Sequence, residues 1–139
     1  MSTLYNTHYT RRQLLERAGQ MAQFGGVRLS ELVDGPERGV RVADFSTGSG
    51  LSFTVHVDRG LDIGAATFEG VPLAFRTNAP LLHPAHYEEP GLGWLRGFAG
   101  GLLTTCGLTY FGAPGEDAGE QHGIHGRASY LPASHVAYG

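Results

Sequence analysis

The chain contains no lysine: all ten of its basic residues are arginine. Cysteine is nearly as scarce, with Cys106 alone, which excludes an intramolecular disulfide and any cysteine-based zinc cluster. No apolar run approaches the roughly 18 residues that a membrane-spanning helix needs. The amino terminus, MSTLYNTHYTRRQLLERAG, lacks the apolar core of a secretory signal. A soluble, cytoplasmic protein is therefore expected. There is also no excess of positive charge. The formal net charge is −3 and the pI about 6.1, so nothing recruits nucleic acid or an anionic membrane surface. What remains is an ordinary globular composition, 41% hydrophobic and 17% charged over 139 residues. That length defaults to one domain with a real core.

Helical signals are confined to the start. Thr10 is placed to cap a helix over residues 11–18, with Leu14 and Leu15 on its buried side and Gly19 as the stop. After Gly25-Gly26 the period becomes two. Val27 and Leu29, followed by Leu32 and Val33, predict one strand, ended by Asp34-Gly35-Pro36; Val40, Val42 and Phe45 predict the next. The clearest strand follows, where Leu51, Phe53, Val55 and Val57 alternate with Ser52, Thr54, His56 and Asp58. That alternation predicts one buried face and one that is wet or meets ligand. Turns at Asp58-Arg59-Gly60 and Glu69-Gly70 separate Leu61–Ala65 from Val71–Phe75. Short strands spaced by glycine turns, without intervening helices, define an all-β, antiparallel β-sandwich or barrel with a short N-terminal helix. The expected division is an N-terminal extension over residues 1–24 and a sandwich portion over 25–139.

Periodicity disappears between Asn78 and Trp94, a long loop of the kind that is usually functional. FAGGLLTTCGL at residues 98–108 predicts a buried, glycine-bent strand, and residues 121–138 return to strand-like texture. Polar residues are densest in Glu120-Gln121-His122-Gly123-Ile124-His125-Gly126-Arg127. His122, His125 and Glu120 are a chemically sensible metal set, although a three-residue histidine spacing does not put both rings on one face of a strand. His83 and His86 repeat that spacing in the loop, where solvated histidines are the plainer expectation. Alternatively, glycines around His125 and Arg127 let a ligand approach the backbone. Histidine and arginine then bind hydroxyl oxygens, with Trp94, Tyr110 and Phe111 as an apolar wall. A hairpin edge with exposed polar groups explains the same string, and local chemistry leaves these readings open.

Four strings in order carry a resemblance: Asp58-Arg59-Gly60-Leu61-Asp62-Ile63-Gly64, Trp94-Leu95-Arg96, Gly100-Gly101-Leu102-Leu103-Thr104-Thr105-Cys106-Gly107-Leu108 and His125-Gly126-Arg127. Together they resemble a bacterial family related to aldose-1-epimerases and classed as a domain of unknown function, within the galactose-mutarotase superfamily. The resemblance runs from about Gln13 onward. It implies an antiparallel β-supersandwich of which this chain is the N-terminal half, a truncated piece. It also implies a sugar as the small-molecule partner, and no cofactor or metal. Arg96 resembles the arginine that reaches the sugar or its phosphate, His125 the histidine that orients its hydroxyls, and Arg127 the arginine that follows. Relative to the looser likeness with hexose-6-phosphate mutarotases, two residues are missing between His125 and Arg127, so phosphate recognition is not implied. Asp58, Arg59 and Asp62 read as turn and strand-end structure held by local hydrogen bonds.

Mutarotases open and reclose the sugar ring with a general base on the anomeric hydroxyl and a general acid on the ring oxygen. The resemblance puts both groups beyond Gly139, past a strand expected at His135–Tyr138, so the segment alone is expected to be inactive, with an unpaired sheet edge. Two other classes fit the same residues. One is a non-catalytic carbohydrate-binding module using Arg96, His125 and Arg127. The other is a cupin-like, metal-dependent sugar isomerase using Glu120, His122 and His125.

Overall fold

A computed structural model describes residues 2–4 and 7–138. In chain order the elements are β1 (Ser2–Leu4), β2 (Thr7–Tyr9), α1 (Arg11–Leu15), β3 (Gly26–Glu31), β4 (Arg41–Ser46), β5 (Leu51–His56) and β6 (Asp62–Phe68), then β7 (Val71–Pro72), β8 (Phe75–Arg76), β9 (Gly100–Gly101), β10 (Gly115–Asp117) and β11 (Glu120–His122). Strands β3 to β7 pair in sequence order as one antiparallel meander, the topology that glycine-turned, period-two strands favour. β1–β2, β8–β9 and β10–β11 are small antiparallel pairs. The class is all-β and antiparallel. Among the described residues no helix is long and apolar enough to cross a membrane.

The helix is shorter than its pattern predicts. Thr10 and Gln13 form a reciprocal capping box, but regular helix ends at Leu15, three residues before Ala18. Leu14 is buried whereas Leu15 is exposed, because one turn of helix presents a single side chain to the core.

The central sheet distributes burial differently from the simple alternation. The apolar face carries Phe45 stacked on Phe53 across β4 and β5, with ring centroids 4.7 Å apart. Ala43 and Ala66 are buried there, yet Phe53 and Val55 are only half-buried and Phe68 is exposed. On the opposite face, expected to be wet, Ser52 is exposed and Thr54 half-buried, but His56 and then Asp58 are buried. The segment after β8 folds back over that end, where Val40, Val42, Leu81 and Ala99 form the apolar cluster. A register shift between Phe53 and Val55 inserts a bulge in β6. Gly64 sits there with the His56 ring where its side chain would be, so only glycine fits.

Three strand expectations fail. Leu32 and Val33 lie past the end of β3. In residues 98–108 only Gly100–Gly101 is strand, extended by an Ile63–Leu103 bridge, and Leu102 and Leu103 are each 50% exposed. The two glycines let the backbone press against β6 and β8 and turn the leucines outward. Residues 131–138 form no strand. Instead Leu131 and Ala133 bond singly to Gly60 and Val57, 3.0 and 3.1 Å, too sparse a contact for a ladder.

Candidate functional site

His125 is the centre of the polar cluster. Its backbone is fixed from both sides: its N–H donates to the Gly112 carbonyl at 3.0 Å, and its carbonyl accepts from the Gly107 N–H at 2.7 Å. These bonds hold it at φ 61°, beside Gly126 at φ 65°, in the left-handed region that side chains rarely adopt. Such strain persists only where surroundings over-determine it, and it clusters at ligand sites. The ring sits edge-on to Trp94 at 5.0 Å and tilted against Phe111 at 5.5 Å. Its Nδ1 is buried and has no hydrogen-bond partner among the described residues, an uncommon state for a buried polar atom.

The other expected site residues lie on the two loops that meet here. Arg96 belongs to the 3-10 turn Gly93–Gly97, which also carries Trp94; its guanidinium is exposed and pairs with Glu88. Arg127 is exposed at the start of the 3-10 turn Ala128–Tyr130. The Tyr87 hydroxyl donates to the Gly126 carbonyl at 3.3 Å, tying the first loop to the second between His125 and Arg127. No direct contact joins Arg96, His125 and Arg127. They share loops that Trp94 and Tyr87 bridge.

The expected apolar wall is divided. Phe111 is open, at 69% exposed, whereas Trp94 is 4% exposed and backs the histidine. Tyr110 turns away to stack on His122, centroids 4.8 Å apart. This arrangement separates His122 from His125, and among the described residues no three His, Cys, Asp or Glu side chains group closely enough to hold a metal ion. His83 and His86 face each other only at 6.5 Å, and His83 Nδ1 accepts from the Ala85 N–H. A cleft of about 460 Å³ beside the site is lined by Glu89, Pro90, Gly91, Pro114, Gln121, His122 and Gly123, not by Arg96, His125 or Arg127.

The support beneath the site comes from the Asp-Arg-Gly run: its backbone makes the expected local turn bonds, Arg59 N–H to the His56 carbonyl and Asp62 N–H to the Arg59 carbonyl, but its side-chain bonds are long-range. Arg59, 2% exposed, donates to the carbonyls of Ser129 (2.8 Å), Leu82 (2.9 Å) and Gly97 (3.2 Å). Its guanidinium lies 4.0 Å from the centre of the Tyr130 ring, and burial lowers its pKa. Asp58 accepts from the Arg41 backbone and side chain, and Asp62 from the Thr105 N–H at 2.5 Å. The signal in the sequence was three charged residues within five positions, directly after an apolar strand, where solvation is unavailable.

Gly126 gives a direct check of this geometry. A Cβ there would lie 2.5 Å from the Tyr110 carbonyl oxygen and 2.6 Å from that of Gly107. Gly126→Ala is therefore expected to cost about 2 kcal/mol or more, from strain and the clash together. Urea unfolding measures it, and a loss under about 0.5 kcal/mol, as for an unremarkable surface change, would mean the two loops are not held this closely.

The antiparallel meander with its smaller strand pairs is a fold found in a solved structure. The chain shares that fold with the crystal structure of a candidate aldose 1-epimerase from Klebsiella pneumoniae subsp. pneumoniae MGH 78578, at a TM-score of 0.69 and 24% sequence identity. The match covers 81% of this chain and 32% of the Klebsiella chain, so this chain spans about a third of that protein. No curated protein matches it. The chain belongs to the family described as Domain of unknown function (DUF4432), whose model matches residues 37–139.

Proposed function

We propose that this chain supplies the aldose-binding face of a mutarotase-like sugar isomerase, with His125 orienting hydroxyls and Arg96 and Arg127 donating from its rim. The observation that carries this reading is the buried, unpartnered Nδ1 of His125, held in a strained backbone between a sequestered Trp94 and an open Phe111. An orphaned polar atom costs desolvation without return, a cost that a ligand hydroxyl offsets. The exposed Phe111 ring offers the apolar side of a pyranose a surface, and Arg96 can exchange its solvated Glu88 partner for ligand at small cost, since exposed pairs contribute little.

In this reading residues 1–24 form an extension and 25–139 belong to the sandwich, in the cytoplasm, with no cofactor. No described carboxylate contacts the His125 ring, so binding and proton transfer are separable: the chain binds an aldose and does not accelerate anomer exchange. Titration calorimetry with a panel of aldoses, paired with NMR exchange between anomers, tests both halves. Saturable binding weakened tenfold or more in His125→Ala, with exchange at the uncatalysed rate, is expected. Measurable anomer exchange by the chain would overturn the separation, and equal binding by His125→Ala would overturn the site.

A further inference from the structure

Resting on that site assignment, we infer that Arg59 is a positioning residue: it sets the relative placement of the loops that carry Arg96, His125 and Arg127 without touching substrate. Its three carbonyl partners come from three separate segments. Gly97 follows Arg96 directly, Ser129 lies two residues after Arg127, and Leu82 lies in the same long loop as Glu88, the partner of Arg96. One planar guanidinium thus fixes the distances among all three, as its rigid fork of donors permits and a lysine ammonium does not.

The bonds close into a circuit that reaches the histidine. Tyr130 covers the guanidinium and donates its hydroxyl to the Trp94 carbonyl at 2.9 Å. The Trp94 indole N–H donates to the Ser129 hydroxyl at 2.8 Å, and the carbonyl of that same Ser129 accepts from Arg59. Trp94 then meets the His125 ring edge-on. Among the described residues Arg59 makes no ion pair with a carboxylate; its side-chain hydrogen-bond acceptors are carbonyls. A buried cation of this kind is poor at stabilising a fold compared with an apolar side chain of similar volume. What it does supply is geometric uniqueness.

Trp94 is the single tryptophan, so its indole N–H gives one resonance that reports this circuit without any sugar present. The variants are Arg59→Lys, which keeps the charge and loses the fork, and Tyr130→Phe, which keeps Arg59 and the ring and loses one bond. In both, the expected result is amide resonances of β3–β6 in place, together with at least a twofold loss of the cross-relaxation between the Trp94 indole and the His125 ring. Exchange of the indole proton becomes faster, and aldose affinity falls about tenfold. Should Arg59→Lys not fold, Arg59→Met, an apolar side chain of similar reach that needs no buried charge, takes its place. Variants that lose stability while the Trp94–His125 cross-relaxation stays at the wild-type level would overturn the inference. If the wild-type chain binds no sugar, the aldose reading fails, while the indole readout still decides the role of Arg59.

Discussion

Asp58→Ala is expected to destabilise the chain by about 2 kcal/mol, between the loss of an exposed ion pair and that of a buried one. The carboxylate accepts from the Arg41 backbone N–H at 2.8 Å, from Nε at 3.1 Å and from Nη2 at 2.5 Å. Arg41 Nη2 also donates to the Ala133 carbonyl at 2.6 Å, so the pair joins the start of β4, the β5–β6 turn and the C-terminal segment. Removing the carboxylate leaves a backbone donor and a guanidinium edge without acceptors. The figure is not larger because the Arg41 side chain is 37% exposed and water replaces part of what is lost. Burial raises the Asp58 pKa, but the hydrogen bonds and charge of Arg41 outweigh it, and the net shift is downward. The contribution is accordingly present above the usual carboxylate range and is lost as pH falls through the lowered folded value. Urea unfolding at neutral pH measures the effect. A loss under about 1 kcal/mol, the size of an exposed pair, would mean that solvent already surrounds the carboxylate.

The second large effect is hidden in the wild-type chain by cancellation. His56 and Asp62 pair in register across β5 and β6, both buried, with opposite pKa shifts. Burial, then Arg76 and Arg59, lower His56 from 6.5 to about 4. Burial raises Asp62 from 3.8 to about 6, against the Thr105 hydrogen bond and Arg59. Below 6.5 the unfolded chain protonates His56 and the folded chain does not, so this group removes stability as pH falls toward 4. Above 3.8 the unfolded chain ionises Asp62 and the folded chain resists until about 6, so this group removes stability as pH rises through the same window. At about 1.4 kcal/mol per pKa unit, each amounts to roughly 3 kcal/mol, and between pH 4 and 6 their opposite pH dependences nearly cancel.

Asp62→Asn keeps an oxygen for the Thr105 N–H and removes the charge, leaving the His56 contribution alone. The variant is expected to be more stable than wild type at pH 7. It should then lose roughly 3 kcal/mol relative to its neutral-pH value by pH 4, while wild type stays nearly flat between pH 4 and 6. Urea unfolding at several pH values checks this, and an Asp62→Asn profile parallel to wild type would refute the pairing.

These effects mark where sequence reading succeeds and stops. The meander was legible because strict alternation in residues 51–57 and glycine turns are local properties. So was the Thr10–Gln13 cap, set by residues three apart. Coverage was not legible: nothing in Thr54, His56 and Asp58 says that Leu81 and Ala99 fold over one end of a polar-looking face. Leu102 and Leu103 look buried by hydropathy, yet Gly100 and Gly101 turn them outward. Motif resemblance pointed to His125, Arg96 and Arg127, but the reach of Arg59 to carbonyls at positions 82, 97 and 129 depends on loop return, which spacing does not encode. Tyr110 and Phe111, adjacent in sequence, diverge for the same reason.

The most direct test follows the Trp94 indole resonance of the labelled chain during titration with free aldoses. One or more aldoses are expected to shift this resonance and the His125 ring signals saturably and together, and His125→Ala to abolish the indole shift. An indole that does not move with any aldose, or one that moves equally in His125→Ala, would contradict a sugar site built around His125.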